Sequence, residues 1–238
     1  MGVDPIHLQP TASLAERVLL PGDPGRALRL AQALLRDPRM FNHHRGLWGY
    51  TGIAADEEPL TIQSTGMGGP SAAIIITELA TLGAHRLIRV GTCGALDPTL
   101  ELGVLILARE AIPNDGASRA LGAESRVKPD ESLTTAIAAA AGPDLRQGPI
   151  VTTDLFYDGE NQEHQWAKEG ALAVEMETAT LFIIAMNKNL QAASLLIVSD
   201  KILPTRSRIT ADALTAAEQR AGEIATTALL SNQAGAGG

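Results

Sequence analysis

The sequence predicts a single α/β domain built on a largely parallel or mixed sheet. Short apolar runs alternate with longer stretches of helical periodicity along the chain. No linker separates two halves and no internal period stands out. A chain of 238 residues, 45% hydrophobic and 19% charged, is enough for one sizeable core.

Taken in order, RVLLP (17–21) reads as a strand, followed by GDPGR and a helix with Leu28, Ala31, Leu34 and Leu35 on one face. LWGYTGIA (47–54) and LTIQST (60–65) read as strands joined by a turn containing DEEP. SAAIIITELATLG (71–83) has helical length and ends at Gly83, a suitable C-cap. HRLIRVG (85–91) and GVLILAR (103–109) read as strands, PDESLTTAIAAAAG (129–142) as a helix and GPIVTT (148–153) as another strand. ENQEHQWAKEG (160–170) and EMETATLFIIAMNK (175–188) look helical. QAASLLIVS (191–199) reads as a buried strand and TADALTAAEQRAGEIATTALL (210–230) as a long amphipathic helix. Residues 110–130 fit loop and strand equally. The domain is placed at 1–232, with a small, polar, disordered tail at 233–238.

Composition excludes several roles. Aromatics are 3% of residues, so packing rests on Ala, Leu, Ile and Val. A formal charge of −8 and a pI near 5.1 argue against a nucleic-acid partner, which needs a basic face. With Cys93 alone there is no intrachain disulfide and no cysteine-based zinc site. The N-terminal MGVDPIHLQP lacks a basic n-region and an apolar core, and no apolar run reaches membrane-spanning length. A cytoplasmic protein without membrane attachment is the expectation.

Two strand ends carry the chemistry. GDPGR (22–26) follows a strand and opens a helix. Backbone N–H groups at the glycines, the helix N-terminus and the Arg26 fork can together meet an anion, although an ordinary Gly-Pro turn would read the same way. It matches neither a dinucleotide fingerprint nor a Walker loop. RVGTCGA (89–95) repeats the theme with Gly91, Thr92 and Gly94. Arg89, inside an apolar strand, needs a counter-charge from a carboxylate or a ligand. One oxyanion site assembled from both ends is the simplest account, and Arg45 in HHRGLWGYTG (43–52) is a third candidate. His43 and His44 are adjacent, so they face opposite ways on a strand and make a poor metal pair. Glu175 and Glu177 would diverge by roughly 200° on a helix, which argues against a paired dyad. One is expected at a ligand and the other in solvent or near the helix dipole, with Met176 lining a wall. LLIVSD (195–200) runs straight into Ser199 and Asp200, placing an acid at the carboxyl end of a central strand, where open α/β sheets bind ligands.

Together the segments PGDPGRA (21–27), NHHRGLWGYTG (42–52), TGMGGPSAA (65–73), IRVGTCGAL (88–96), TTDLFY (152–157), VEMETATLF (174–182) and VSDKI (198–202) resemble the nucleoside phosphorylase superfamily, specifically bacterial hexameric-type purine nucleoside phosphorylases. They occur in the family's order over nearly the whole chain. The resemblance implies a three-layer α/β/α, phosphorylase/hydrolase-like subunit with a central mixed sheet. It also implies reversible phosphorolysis of purine (deoxy)ribonucleosides to base and (deoxy)ribose 1-phosphate. Gly22, Arg26, Arg89 and Thr92 would hold phosphate, with Arg45 arriving from a neighbouring subunit. His7, also from next door, would hold the ribose 5′-hydroxyl. Glu177 would bind the 2′- and 3′-hydroxyls, with Met67 and Met176 lining the sugar. Phe156, Val174, Glu175 and Ser199 would border the base. A homo-oligomer follows, a hexamer arranged as a trimer of dimers, with inorganic phosphate as co-substrate and no metal or organic cofactor.

The family's uridine phosphorylases read the pyrimidine with a Gln and an Arg where this chain has Glu160 and Gln162, and they lack the acid at Asp200. Its nucleosidases lack the phosphate arginines. Methylthioadenosine phosphorolysis stays open. On the purine reading, Asp200 protonates N7 of the leaving base. The apolar LLIV approach is then expected to carry it into a dry site that keeps its proton. One departure stands out. The purine enzymes place an assisting Arg just after Ala-Ala-Glu in the last helix, where this chain has Gln219. Arg206, Arg208 and Arg220 are the candidates to replace it.

Overall fold

The computed structural model describes residues 4–157 and 162–231. Glu160 and the 233–238 tail lie outside the described residues. Strand β1 (Arg17–Leu20) leads to helix α1 (Pro24–Leu34), then to β2 (Arg36–Asn42), a short 3₁₀ turn at His44–Gly46, and the hairpin strands β3 (Gly49–Ile53) and β4 (Pro59–Gln63). Next come α2 (Gly69–Thr81), β5 (Arg86–Ala95), β6 (Leu105–Asn114), α3 (Gly116–Ala120), α4 (Glu131–Ala141) and β7 (Arg146–Thr153). The last third holds α5 (Glu163–Lys168), β8 (Ala173–Glu175), α6 (Thr178–Lys188), β9 (Gln191–Lys201), β10 (Ser207–Arg208) and α7 (Ala211–Ser231).

The strands form one mixed sheet in the order β10-β9-β6-β7-β8-β5-β1-β4-β3-β2, with β9 pairing β5 as well. That extra pairing closes β5, β9, β6, β7 and β8 into a ring. The closure removes free edges from the centre of the sheet and buries it on both sides. Alternation along β5 shows the two faces. Ile88 and Val90 join the cluster packed by Leu30 of α1, Leu133 of α4 and Ala225 of α7. Leu87 and Cys93 join the cluster packed by Ile75 of α2 and Phe182 of α6. Two helix layers on one sheet are the three-layer arrangement that the resemblance implies.

Differences from expectation have local causes. β2 was not foreseen because RDPRMFN has no apolar alternation; it is the sheet's edge strand, with five exposed residues and Asp37 at φ 51°. The ambiguous 110–130 stretch holds the end of β6, the short α3, and a bridge between Ala111 and Val127. The α1 face is centred on Ala27, Leu30 and Ala31, with Leu28 and Leu34 only partly buried.

β1, β5 and β9 run parallel, so their carboxyl ends share one edge of the sheet. Arg89 pairs with Leu20 across that edge, two residues before Gly22. On the other side the β5–β9 register jumps, pairing Cys93 with Val198 and Gly94 with Asp200. Ser199 is the extra residue of this bulge, which re-aims Asp200 at the strand end.

Candidate active site

Arg89 is the centre of the buried charge. Its residue is 5% exposed, and the guanidinium folds back over Gly91, where a Cβ would lie 2.6 Å from Arg89 Cζ. Only glycine leaves that room. Nε donates to Glu175 Oε2 at 3.0 Å and Nη2 lies 2.5 Å from Glu177 Oε2. Nη1 is buried without a hydrogen-bond partner, on the side facing Gly22. Burial alone would lower the affinity of the guanidinium for its proton, but the Glu177 and Glu175 charges more than restore it.

The expected divergence of Glu175 and Glu177 is therefore corrected. Glu175 closes β8 and Glu177, at φ −140°, is the residue before α6, so the helical phase does not apply between them. Both carboxylates turn onto Arg89, and neither is solvated. Glu175 also accepts from Thr152 Oγ1 at 2.6 Å and from the backbone N–H of Glu177 and Thr178. A carboxylate so committed is a support for Arg89. Glu177 accepts from Gly68 N at 2.6 Å. Its burial, joined by the Glu175 charge, pushes it above the usual carboxylate range in spite of Arg89.

Arg26 approaches from the α1 side. Nε donates to Glu218 Oε1 at 2.8 Å and Nη1 to Val90 O at 3.3 Å. Glu218, 1% exposed on α7, also accepts from Arg29 Nε and Nη2 at 2.9 and 2.7 Å. Sequence reasoning missed Glu218, although an acid on the apolar stripe formed with Ala217, Ala221 and Ala225 needs a buried partner. The helix N-terminus at GDPGR is not open to a ligand as expected. Asp23 caps it, accepting from Gly25 N at 3.1 Å and Arg26 N at 2.8 Å, so the cradle reduces to Gly22 and the Arg26 side chain.

Asp200 lies at the end of β9 with its side chain 18% exposed. The dry surroundings expected from LLIV stop one residue short. Those four residues are buried in the sheet, whereas Asp200 emerges at its polar edge. Ser199 Oγ donates to Asp200 Oδ2 at 2.7 Å, so Ser199 orients the acid. Arg208 faces it from β10, with Nε 3.6 Å from Oδ1. Gln219 is turned to Glu223 on its own helix.

The remaining expected residues lie open or apart in the single chain. Thr92 and Gly22 are half-buried at the sheet edge, and so are Val174 and Met176. Met67 is 84% exposed and Phe156 54%, the latter edge-on to Tyr157. Arg45 is exposed on the 3₁₀ turn at φ 57°. His7 Nδ1 lies 2.8 Å from Glu78 Oε1, and Glu78 also accepts backbone N–H groups from Ile6, His7 and Leu8. A lone acid in the apolar run AAIIITELA was the available signal for Glu78. Cys93 is buried, which pushes its thiol far up and leaves no nucleophile there. A cavity of about 630 Å³ lies elsewhere, between Pro113, Arg119 and Arg126, and holds none of these residues.

Residues 16–231 match the model of the phosphorylase superfamily. The chain belongs to the phosphorylase superfamily. Within it, the chain is 40% identical over 199 residues to a DeoD-type purine nucleoside phosphorylase of Geobacillus kaustophilus (strain HTA426), covering 81% of this chain and 84% of that relative. A DeoD-type purine nucleoside phosphorylase of Caldanaerobacter subterraneus subsp. tengcongensis is 39% identical over 80% of this chain and 84% of its own length. The corresponding Thermoanaerobacter sp. (strain X514) protein is 36% identical over 87% of this chain and 89% of its own. The superfamily assignment agrees with the mixed α/β fold.

Proposed function

We propose that this chain catalyses the reversible phosphorolysis of purine (deoxy)ribonucleosides, giving free purine and (deoxy)ribose 1-phosphate. The observation that carries the reading is Arg89. Two buried carboxylates hold its charge and orientation, while Nη1 is left with no acceptor beside Gly22. A buried donor in that state is costly unless a ligand completes it, and an inorganic phosphate oxygen does so. The names of the relatives, all purine nucleoside phosphorylases, support the same substrate class.

Phosphate would sit against Arg89, Arg26, Gly22 and Thr92, and Glu177, already beside Arg89, would take the ribose 2′- and 3′-hydroxyls. Positive charge growing on the ribose is met by phosphate, whose oxygen bonds to C1′ as the C1′–N9 bond breaks. That bond's electron pair goes to the purine, and Asp200 delivers a proton to N7. General acids of this kind contribute about 10²–10⁴-fold. Met67, Met176, Phe156 and Val174 would border the nucleoside. Arg45 and His7, exposed or half-exposed in one chain, would complete a neighbour's site in a homohexamer arranged as a trimer of dimers. No helix among the described residues is long and apolar enough to cross a membrane, and we place the enzyme in the cytoplasm. The reaction needs inorganic phosphate as co-substrate and no metal or organic cofactor.

The test is release of free base from adenosine, inosine and uridine with and without phosphate. Phosphate-dependent release from both purines, with little from uridine, is the expected result. Release without phosphate indicates a nucleosidase, and preferential release from uridine a uridine phosphorylase; either outcome overturns the reading.

A further inference from the structure

We infer that Arg208 is the positioning residue for Asp200, and that this chain builds its acid–arginine couple from the edge of the sheet. The inference rests on the proposed role of Asp200 as the acid. β10 is two residues long, and its pairing sets Arg208 directly across from Asp200 and Ser207 across from Lys201. Ile209 N donates to Ser199 O at 2.9 Å and fastens the segment just beyond. The backbone therefore fixes the Arg208 Cα at cross-strand distance from the acid, and the Nε–Oδ1 separation of 3.6 Å needs only a small side-chain movement to become a hydrogen bond.

Other cations near the acid are accounted for. Lys201 Nζ is held 3.0 Å from Glu101. Arg206 and Arg220 are exposed and make no ion pair among the described residues, and Gln219 bonds along α7 to Glu223. In the chemical step the Asp200 O–H bond breaks, the proton joins N7, and a carboxylate is left behind. Ser199 steadies Oδ2, and Arg208 meets the charge at Oδ1. Because the Arg208 side chain is 76% exposed, its effect is open to screening by salt, unlike that of a buried pair.

The experiment compares Arg208→Gln, Arg208→Lys, Arg220→Gln and Arg206→Gln at saturating phosphate, with adenosine and inosine, at low and high salt. Arg208→Gln is expected to lower kcat for adenosine about tenfold, less for inosine, without raising the KM for phosphate. Arg208→Lys should recover most of the loss. High salt should slow the unsubstituted enzyme on adenosine more than Arg208→Gln, and the other two variants should behave as the unsubstituted enzyme. An Arg208→Gln enzyme with unchanged kcat, or the same loss from Arg220→Gln or Arg206→Gln, overturns the inference. Asp200→Asn is run alongside: if it leaves adenosine turnover intact, the acid role itself fails, independently of Arg208.

Discussion

Two halves of the same sheet edge are built in opposite ways. In one half Arg89, 5% exposed, and Arg26, 6%, are clamped in the interior by three carboxylates: Glu175, 5%, Glu177, 6%, and Glu218, 1%. Around Asp200, 18% exposed, the partners are a buried bulge serine and an arginine on a two-residue strand whose side chain is largely in water. The first half is assembled by folding, with Arg89 Nη1 left unpartnered. In the second, and in Met67, Phe156, Arg45 and His7, side chains stand exposed or half-exposed. A buried network can hold a guanidinium ready for an anion, whereas on the proposed function the open groups would meet sugar and base only with substrate and a second subunit in place.

That contrast breaks first on stability. Glu175→Ala strips Arg89 of a buried partner and should cost about 3–5 kcal/mol in urea unfolding. Asp200→Asn, at the open half, should change unfolding by less than about 0.5 kcal/mol. The same Asp200→Asn should lower adenosine turnover by about 10²–10⁴-fold and inosine turnover less, because the 6-oxo base leaves more readily as an anion. Equal losses on the two nucleosides would contradict N7 protonation. Arg45→Ala should raise the KM for phosphate by about tenfold while leaving the unfolding midpoint unchanged. A fall in the midpoint would make Arg45 a structural residue instead.

The smallest effect is in acid. Burial works to raise Glu78, but the hydrogen bond from His7 and three backbone N–H groups outweigh it and hold the carboxyl below its usual 4.5. Its stabilisation is thus present above about pH 4.5 and fades as pH falls through the lowered folded value. Glu177 is raised, so its contribution runs the other way, present below pH 4.5 and lost as pH rises through the folded value. Glu78→Gln should flatten the loss of stability on acidification, and Glu177→Gln should remove a gain. Both slopes can be read from unfolding midpoints across pH 3–7.

Most of the fold was legible because the sheet's core strands are continuous apolar runs and its helices keep a 3.6-residue period. β2 was not, because an edge strand with five exposed residues has nothing to alternate. Ring closure was hidden in β8, three residues long, whose last residue, Glu175, reads as the start of a helix. That same misreading separated Glu175 from Glu177. The three arginines were legible as charges beside glycines, and Asp200 as an acid ending an apolar strand. Their partners were not, since Glu218 lies 192 residues from Arg26 and Glu175 86 from Arg89. Sequence periodicity carries no information on pairs so distant.

The most direct test is a crystal structure of the enzyme with inorganic phosphate. The account predicts a phosphate within hydrogen-bond distance of Arg89 Nη1 and the Arg26 guanidinium, above Gly22, with the Arg89–Glu175 contact kept. Phosphate bound elsewhere, with Arg89 Nη1 still unpartnered, would contradict it.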